Sequence, residues 1–385
     1  MEFRFTDEQQ MIRETAESFL REQSDSAAVR RAMATEQGFE ASFWEQLAGE
    51  MGWSAMHIPE ACGGLGLGVV ELVALMEEMG KRLVCAPFFS SVCLGATAIL
   101  CAGSEAQKAA LLPGIAAGAS RAALAWQSPG GGWDASAVRA QCRPQGDAWV
   151  LDGEYRYVVD GHSADLLLLA ARLPGTAGTE GIRLFALPAD TSGITRAWLP
   201  GMDQTRKLAT VRAQGLQLSG GALLGGDRES GEALARTLDV ATVALAAELS
   251  GVAQQSLEIA VAYTKERQQF GRSIASFQAI KHKAADMMLK AEASRSAIYY
   301  AACVADEALK GGPLGAELRS AASLAKASAG ETAFFNAGCA IQMHGGVGFT
   351  WEYDPHLYFK RARAGESFLG TPSQHRERIA EELGL

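Results

Sequence analysis

Two stretches interrupt the last third of this chain: YTKERQQFG at 263–271, with Ile274 and Gln278 following, and IQMHGGVGFT at 341–350. In the first, apolar helical spacing gives way to a glycine, as a helix C-cap requires. Arg267 there supplies a planar guanidinium suited to phosphate oxygens. In the second, the glycines let backbone N–H groups approach a ligand, and Gln342 offers an amide to the edge of a base. Each has a plainer reading taken alone: a helix end with one solvated arginine, and an ordinary glycine loop. Their order and setting give them weight.

Around them the text is helical. Amphipathic spacing runs from about 234 to 266, from 277 to 310 and from 314 to 344, with short Gly- and Pro-marked connections, which implies an antiparallel bundle. Upstream, 121–226 is rich in Gly, Pro and Asp, with short β-prone runs at 149–151, 155–159, 166–169, 182–186 and 216–218. Turn dipeptides such as Asp152-Gly153 and Asp160-Gly161 punctuate it, predicting short antiparallel strands. Residues 1–118 read as helical again. Thr6 and Gln9 form a capping box; Ile12, Ala16, Phe19 and Leu20 recur behind it, as do Phe43, Leu47 and Met51, and Val69, Val73, Met76 and Met79. Leu112-Pro113-Gly114 is expected to end this segment.

Composition narrows the function. At 385 residues two or three packed units are expected. A net charge of −9 argues against a nucleic-acid binder, which needs clustered Lys and Arg. Seven scattered cysteines form no C-x-x-C pair, so buried free thiols are expected rather than disulfides or zinc. No His and carboxylate cluster has metal-ligand spacing, and the six histidines read as surface or packing residues. MEFRFTDEQQ at the start lacks an apolar core, so no signal peptide is expected, and the longest aliphatic patch, 166–171, is too short to span a bilayer. The expectation is a cytoplasmic protein without a membrane span.

The two stretches, in this order, resemble the acyl-CoA dehydrogenase family, in which an Arg-x-x-Phe-Gly helix end and a Gln-x-x-Gly-Gly loop hold the ADP half of FAD. The resemblance covers the whole chain: PEACGGLGLG at 59–68, Glu77-Glu78-Met79-Gly80, and DPHLYFKR at 354–361 fall where the family has related segments. It implies an α+β fold: an N-terminal helical domain at 1–118, a middle antiparallel β domain at 119–226 and a C-terminal four-helix bundle at 227–385. It also implies that Arg267, Gln269, Phe270, Gln278, Gln342, Gly345, Gly346 and Thr371 bind FAD, with Tyr157 and Val159 as weaker candidates. In the family the ADP-binding residues reach across a dimer interface into a neighbour's flavin site, which makes oligomerisation a condition of cofactor binding.

The pattern then breaks. Dehydrogenation needs flavin to take a hydride from Cβ and a carboxylate to take the Cα proton. Most family members carry that Glu before a Gly-Thr pair near the C-terminus; here the segment is Ser367-Phe368-Leu369-Gly370-Thr371, and the slot holds Leu369. Others carry it early in the long helix before the arginine motif; that slot holds Ala241. Glu248, seven residues on, shares a face with Ala241 but lies roughly 10 Å along the helix. Glu366 shares a side with Leu369 only if its segment is helical. Along the flavin wall, the family's Trp and Thr become Tyr157 and Val159, and its Thr-Glu and Gly-Ser pairs become Trp126-Gln127 and Gly132-Trp133.

What serves a neighbour's FAD is therefore intact, and what serves the chain's own is altered. The expected function is that of a subunit acting on an acyl-CoA substrate, paired in an α2β2 assembly with a second family member carrying the base, and passing electrons to an acceptor flavoprotein. A self-sufficient homotetramer with a displaced base and a non-catalytic scaffold are the alternatives. A hydrolase is excluded by the lack of a G-x-S-x-G elbow, and Gly64, Gly66 and Gly68 have the wrong spacing for a dinucleotide fingerprint.

Overall fold

The computed structural model describes residues 6–226 and 228–385. The first five residues, on which part of the signal-peptide reading rests, lie outside the described residues. The chain forms two compact units that are discontinuous in sequence: a helical unit of Met1–Arg31, Val69–Val84 and Thr242–Leu385, and a sheet unit of Ala32–Gly68 and Cys85–Ala241.

The sheet unit carries seven strands: β1 (Ala122–Ala125), β2 (Gln141–Gln145), β3 (Ala148–Val159), β4 (Leu166–Arg172), β5 (Ile182–Pro188), β6 (Ile194–Leu199) and β7 (Leu208–Ser219). Their order is β1-β4-β2-β3-β7-β6, with β5 pairing on β4. Most pairs are antiparallel, as expected, but β1 runs parallel to β4. The runs at 149–151 and 155–159, read as separate strands, are one strand. Asp152-Gly153 is a bulge in it rather than a hairpin turn, with a second bulge between Tyr155 and Val158. Strand β4 is buried along its whole length, which is why it reads as an unbroken aliphatic run. Leu151, Tyr155, Leu167, Leu169, Phe185 and Val211 centre the sheet's core.

The same unit contains the short helices α3 (Ala41–Glu45), α5 (Thr97–Ala102) and α6 (Glu105–Ala116) and a wholly buried π-helical segment, Phe89–Ala96. Helix α6 runs through Pro113 instead of ending there: the proline forfeits one backbone donor, yet its carbonyl accepts from Ala117 N at 3.0 Å and the last turn closes.

The helical unit contains α1 (Asp7–Gln23), α4 (Val69–Lys81), most of α7 (Gly231–Glu266), α8 (Gln278–Lys310), α9 (Leu318–His344), α10 (Pro355–Ser367) and α11 (Pro372–Glu382); α2 (Ser26–Met33) straddles its edge. The Thr6–Gln9 capping box is present at α1. Leu257 and Ala260 of α7, Met287 of α8 and Cys339, Ala340 and Met343 of α9 form a shared apolar layer. Helices α4 and α7 cross at two glycines: a Cβ on Gly80 would lie 2.0 Å from the Glu248 carbonyl, and one on Gly251 would lie 1.9 Å from that of Glu77. Only glycine permits this approach. The Glu77 side chain is buried there, with Arg295 at 2.7 Å and the Tyr299 hydroxyl donating at 2.8 Å. Burial pushes the Glu77 carboxyl up, but Arg295, Arg13 and the Tyr299 bond outweigh it and hold its pKa below the usual range.

Candidate active site

The two motif stretches meet in the helical unit. Tyr263 stacks on His344 with ring centroids 4.1 Å apart and 19° between planes, which joins the end of α7 to the end of α9. His344 Nδ1 donates to the Ala340 carbonyl at 2.7 Å, and burial lowers its pKa, so the ring stays neutral and fixed. Nothing in the spacing of the sequence pairs these two rings.

Helix α7 ends at Glu266, not at Gly271 as expected. Between α7 and α8 lies a two-stranded hairpin, β8 (Gln268–Gln269) and β9 (Arg272–Ser273), turned by Phe270 and Gly271 at φ +55° and +77°. Two successive positive φ values in a two-residue loop match a type I′ turn, so the glycine serves the hairpin. The turn leaves Phe270 90% exposed at its tip, edge-on to Phe277. Arg267, Gln269 and Gln278 are exposed beside it. Gln278 opens the 33-residue helix α8, whose N-cap, Phe277, makes no side-chain cap bond. The first N–H groups of α8 therefore present a positive helix end, suited to phosphate.

Gln342 is exposed on the last turn of α9, and Gly345 ends that helix at φ +65°. A Cβ on Gly345 or Gly346 would meet nothing within 4 Å, so the surface above both is open. Thr371 is half-buried and caps α11, its hydroxyl accepting from Gln374 N at 3.3 Å. Exposed guanidinium, uncapped helix end, open glycines and exposed amides fit the ADP half of FAD. FAD, when bound, supplies the hydride acceptor.

Neither base slot holds a proton acceptor. Leu369 is 2% exposed and Ala241 wholly buried. Glu248 is committed elsewhere: its carboxylate lies 2.7 Å from Arg361 Nη1, both side chains 3% exposed. Glu366, in the last turn of α10, pairs with Arg363. The segment at 369 is flanked instead by Lys326 and His375. Burial pulls the Lys326 amine down to about 7 against the opposing pull of Glu366, and burial, with the charges of Lys326 and Arg378, takes His375 down to about 3.

The expected flavin wall lies in the sheet unit. Tyr157 occupies the second bulge of β3 at φ +58° and is 41% exposed; its ring packs against Trp133 at 5.8 Å between centroids, tilted by 44°. The Trp133 carbonyl accepts from Trp126 Nε1 at 3.3 Å. Gln127 Nε2 reaches the Gly131 carbonyl at 3.4 Å, while its buried Oε1 has no partner. Val159 is 1% exposed and brings no polar side-chain atom. Among the described residues, no group of three or more His, Cys, Asp or Glu is placed to hold a metal ion, and no helix is long and apolar enough to cross a membrane.

Known proteins resemble this chain in sequence and in fold. The "Acyl-CoA dehydrogenase, N-terminal domain" family matches residues 6–119 and the "Acyl-CoA dehydrogenase, C-terminal domain" family matches residues 231–384. The acyl-CoA dehydrogenase IpdE2 of Mycobacterium tuberculosis is 34% identical over 382 residues, 98% of each chain. Among solved structures, butyryl-CoA dehydrogenase from Megasphaera elsdenii superposes with a TM-score of 0.89 at 27% identity, covering 100% of both chains. A variant of the Tcur3481-Tcur3483 steroid ACAD gives 0.86 at 30% identity over 98% of each. With one relative 34% identical from end to end and both family domains in place around a site that fits FAD, the chain belongs to the acyl-CoA dehydrogenase family of FAD-dependent oxidoreductases.

Proposed function

We propose that this chain is the FAD-completing subunit of a heteromeric acyl-CoA dehydrogenase. A second family member carries the proton-abstracting Glu and the flavin wall; this chain lends that partner the ADP-binding residues. The observation that carries the reading is the contrast within one molecule. Arg267, Gln269, Phe270, Gln278, Gln342, Gly345 and Gly346 are all exposed on the helical unit, while both base slots are apolar and buried. Exposed large apolar side chains are concentrated on the same unit, including Phe270, Met288, Leu289, Phe349 and Trp351, which supports a partner covering it.

The chemistry is α,β-dehydrogenation of an acyl-CoA thioester, with a flavoprotein as onward electron acceptor. The name of the steroid ACAD at 30% identity supports a bulky, ring-bearing acyl group and a two-protein assembly. The pairing of Glu248 with Arg361 and of Glu366 with Arg363 weighs against a self-sufficient enzyme with a displaced base.

The test is purification of the chain alone and with a family member expressed beside it. Alone, it is expected to be colourless and inactive; together, the mixture is expected to be yellow and to reduce its flavin with an acyl-CoA. Arg267→Ala in the mixture is expected to lower flavin occupancy, read by absorbance near the flavin band. A yellow homo-oligomer of this chain, reduced by an acyl-CoA, would sink the reading, and so would unchanged FAD retention in the Arg267 variant.

A further inference from the structure

The segment that carries Leu369 is held by two side chains unrelated to the flavin-binding set, Lys326 and His375. Helix α10 ends at Ser367, and the backbone then turns through Leu369 at φ +59° and Gly370 at φ +111°. A left-handed backbone is unfavourable for a residue with a branched side chain and persists only where the surroundings impose it. Here three carbonyls are gripped. Lys326 Nζ donates to Glu366 O at 3.0 Å and to Gly370 O at 2.8 Å, and His375 Nε2 lies 3.1 Å from Leu369 O. Lys326 is fully buried and His375 is 1% exposed.

The tautomer of His375 follows from its partners. A carbonyl only accepts, so His375 Nε2 carries the hydrogen; in the neutral ring Nδ1 then accepts, from Ser323 Oγ at 3.2 Å. Ser323 and Lys326 are one turn apart on α9, so one face of that helix supplies the first arm and the support of the second. Lys326 is a pure donor here, and its N–H groups meet two carbonyls that can only accept. The ring of His375 also fits against glycine: a Cβ on Gly370 would lie 2.9 Å from Nε2.

We propose that Lys326, with His375 as its second arm, is the positioning residue of the 366–370 segment. It sets the left-handed backbone at residue 369 whatever side chain stands there, so the slot remains preset for a carboxylate although leucine fills it. Calling 369 a base slot rests on the family reading above; the clamp itself does not.

Hydrogen–deuterium exchange on the full chain tests this, with Leu369→Glu, Lys326→Met and Lys326→Gln as variants. Gln and Met are close in length, but only Gln carries two N–H donors on one nitrogen. Lys326→Met is expected to speed exchange of the 367–371 amides about tenfold, the scale of losing one or two buried hydrogen bonds. Lys326→Gln is expected to recover most of that protection, and Leu369→Glu to leave it within about threefold of the parent. Equal exchange in the Met and Gln variants would reduce Lys326 to a space-filler and overturn the proposal. So would a Leu369→Glu segment as open as that of Lys326→Met. Should Lys326→Met not fold, Ser323→Ala replaces it: a several-fold rise at 367–371 supports the clamp, and no change refutes it. Failure of the Arg267→Ala test leaves these outcomes untouched, so the two ideas fall separately.

Discussion

Glu248→Gln separates the two catalytic readings most sharply. The carboxylate of Glu248 and the guanidinium of Arg361 meet at 2.7 Å with each side chain 3% exposed. The Gly80 backbone packs on the Glu248 carbonyl, so this turn of α7 has no room to slide. Glutamine keeps the shape and removes the charge, which takes the Glu248 carboxylate away from the buried Arg361 cation. Breaking a buried pair from one side costs about 3–5 kcal/mol, whereas replacing both partners with well-fitting neutral residues is close to neutral. At roughly 2–4 °C per kcal/mol for a folding unit of 150–250 residues, the melting temperature is expected to fall by roughly 6–20 °C. The double variant Glu248→Gln/Arg361→Met is expected to regain most of that loss. Differential scanning calorimetry gives the melting temperatures, and turnover per folded complex gives the activity. If Glu248→Gln melts with the parent but loses turnover, Glu248 is a working base and the argument for a base-less subunit fails.

Two further expectations follow from the buried histidines and the altered wall. Burial lowers His57 to about 4, and burial with neighbouring cations lowers His375 to about 3, so the unfolded chain binds more protons than the folded one between those values and about 6.5. The histidines' contribution to stability is therefore full above about pH 6.5 and declines as pH falls towards 4; urea midpoints at pH 7 and pH 4.5 measure the slope, and a His57→Met variant with an undiminished slope would contradict it. Trp133→Ser removes the ring packed on Tyr157 and is expected to raise flavin stoichiometry in the assembled complex, read by absorbance per chain; an unchanged ratio would show that Trp133 does not restrict this chain's own flavin wall.

Much of the fold was legible because its signals are local. The capping box at Thr6, the helical periods and the α-then-β-then-α order depend on neighbours in sequence, and all are present. Two local signals misled. Pro113 reads as a helix end, but a proline in the last third of a helix costs only one donor, and the surrounding turn tolerates it. Asp152-Gly153 reads as a hairpin, but β7 pairs along both halves of β3 and makes the dipeptide a bulge. Gly271 reads as a helix cap from its place in the motif; the adjoining positive φ of Phe270 shows a hairpin turn. The rest is non-local. The partners of Glu248, Glu77 and the segment at 369 are Arg361, Arg295 and Lys326, separated by 113, 218 and about 40 residues, and no periodicity carries such pairings. The empty base slots were readable from the motif; that Glu248 and Glu366 already have cationic partners was not.

The close crossing of α4 and α7 has a consequence for synthesis. Gly80 and Gly251 fit only against each other's helix, and the unit they lock begins with the first segments of the chain, then waits for Thr242. At 5–20 residues per second, a ribosome takes roughly 10–30 s to pass from Val84 to Thr242. Through that interval α4 can pack on α1, which precedes it, but α7 and α8, its other neighbours, are not yet made. The α4–α7 crossing, although one of its helices lies near the start of the chain, can therefore close only late in synthesis.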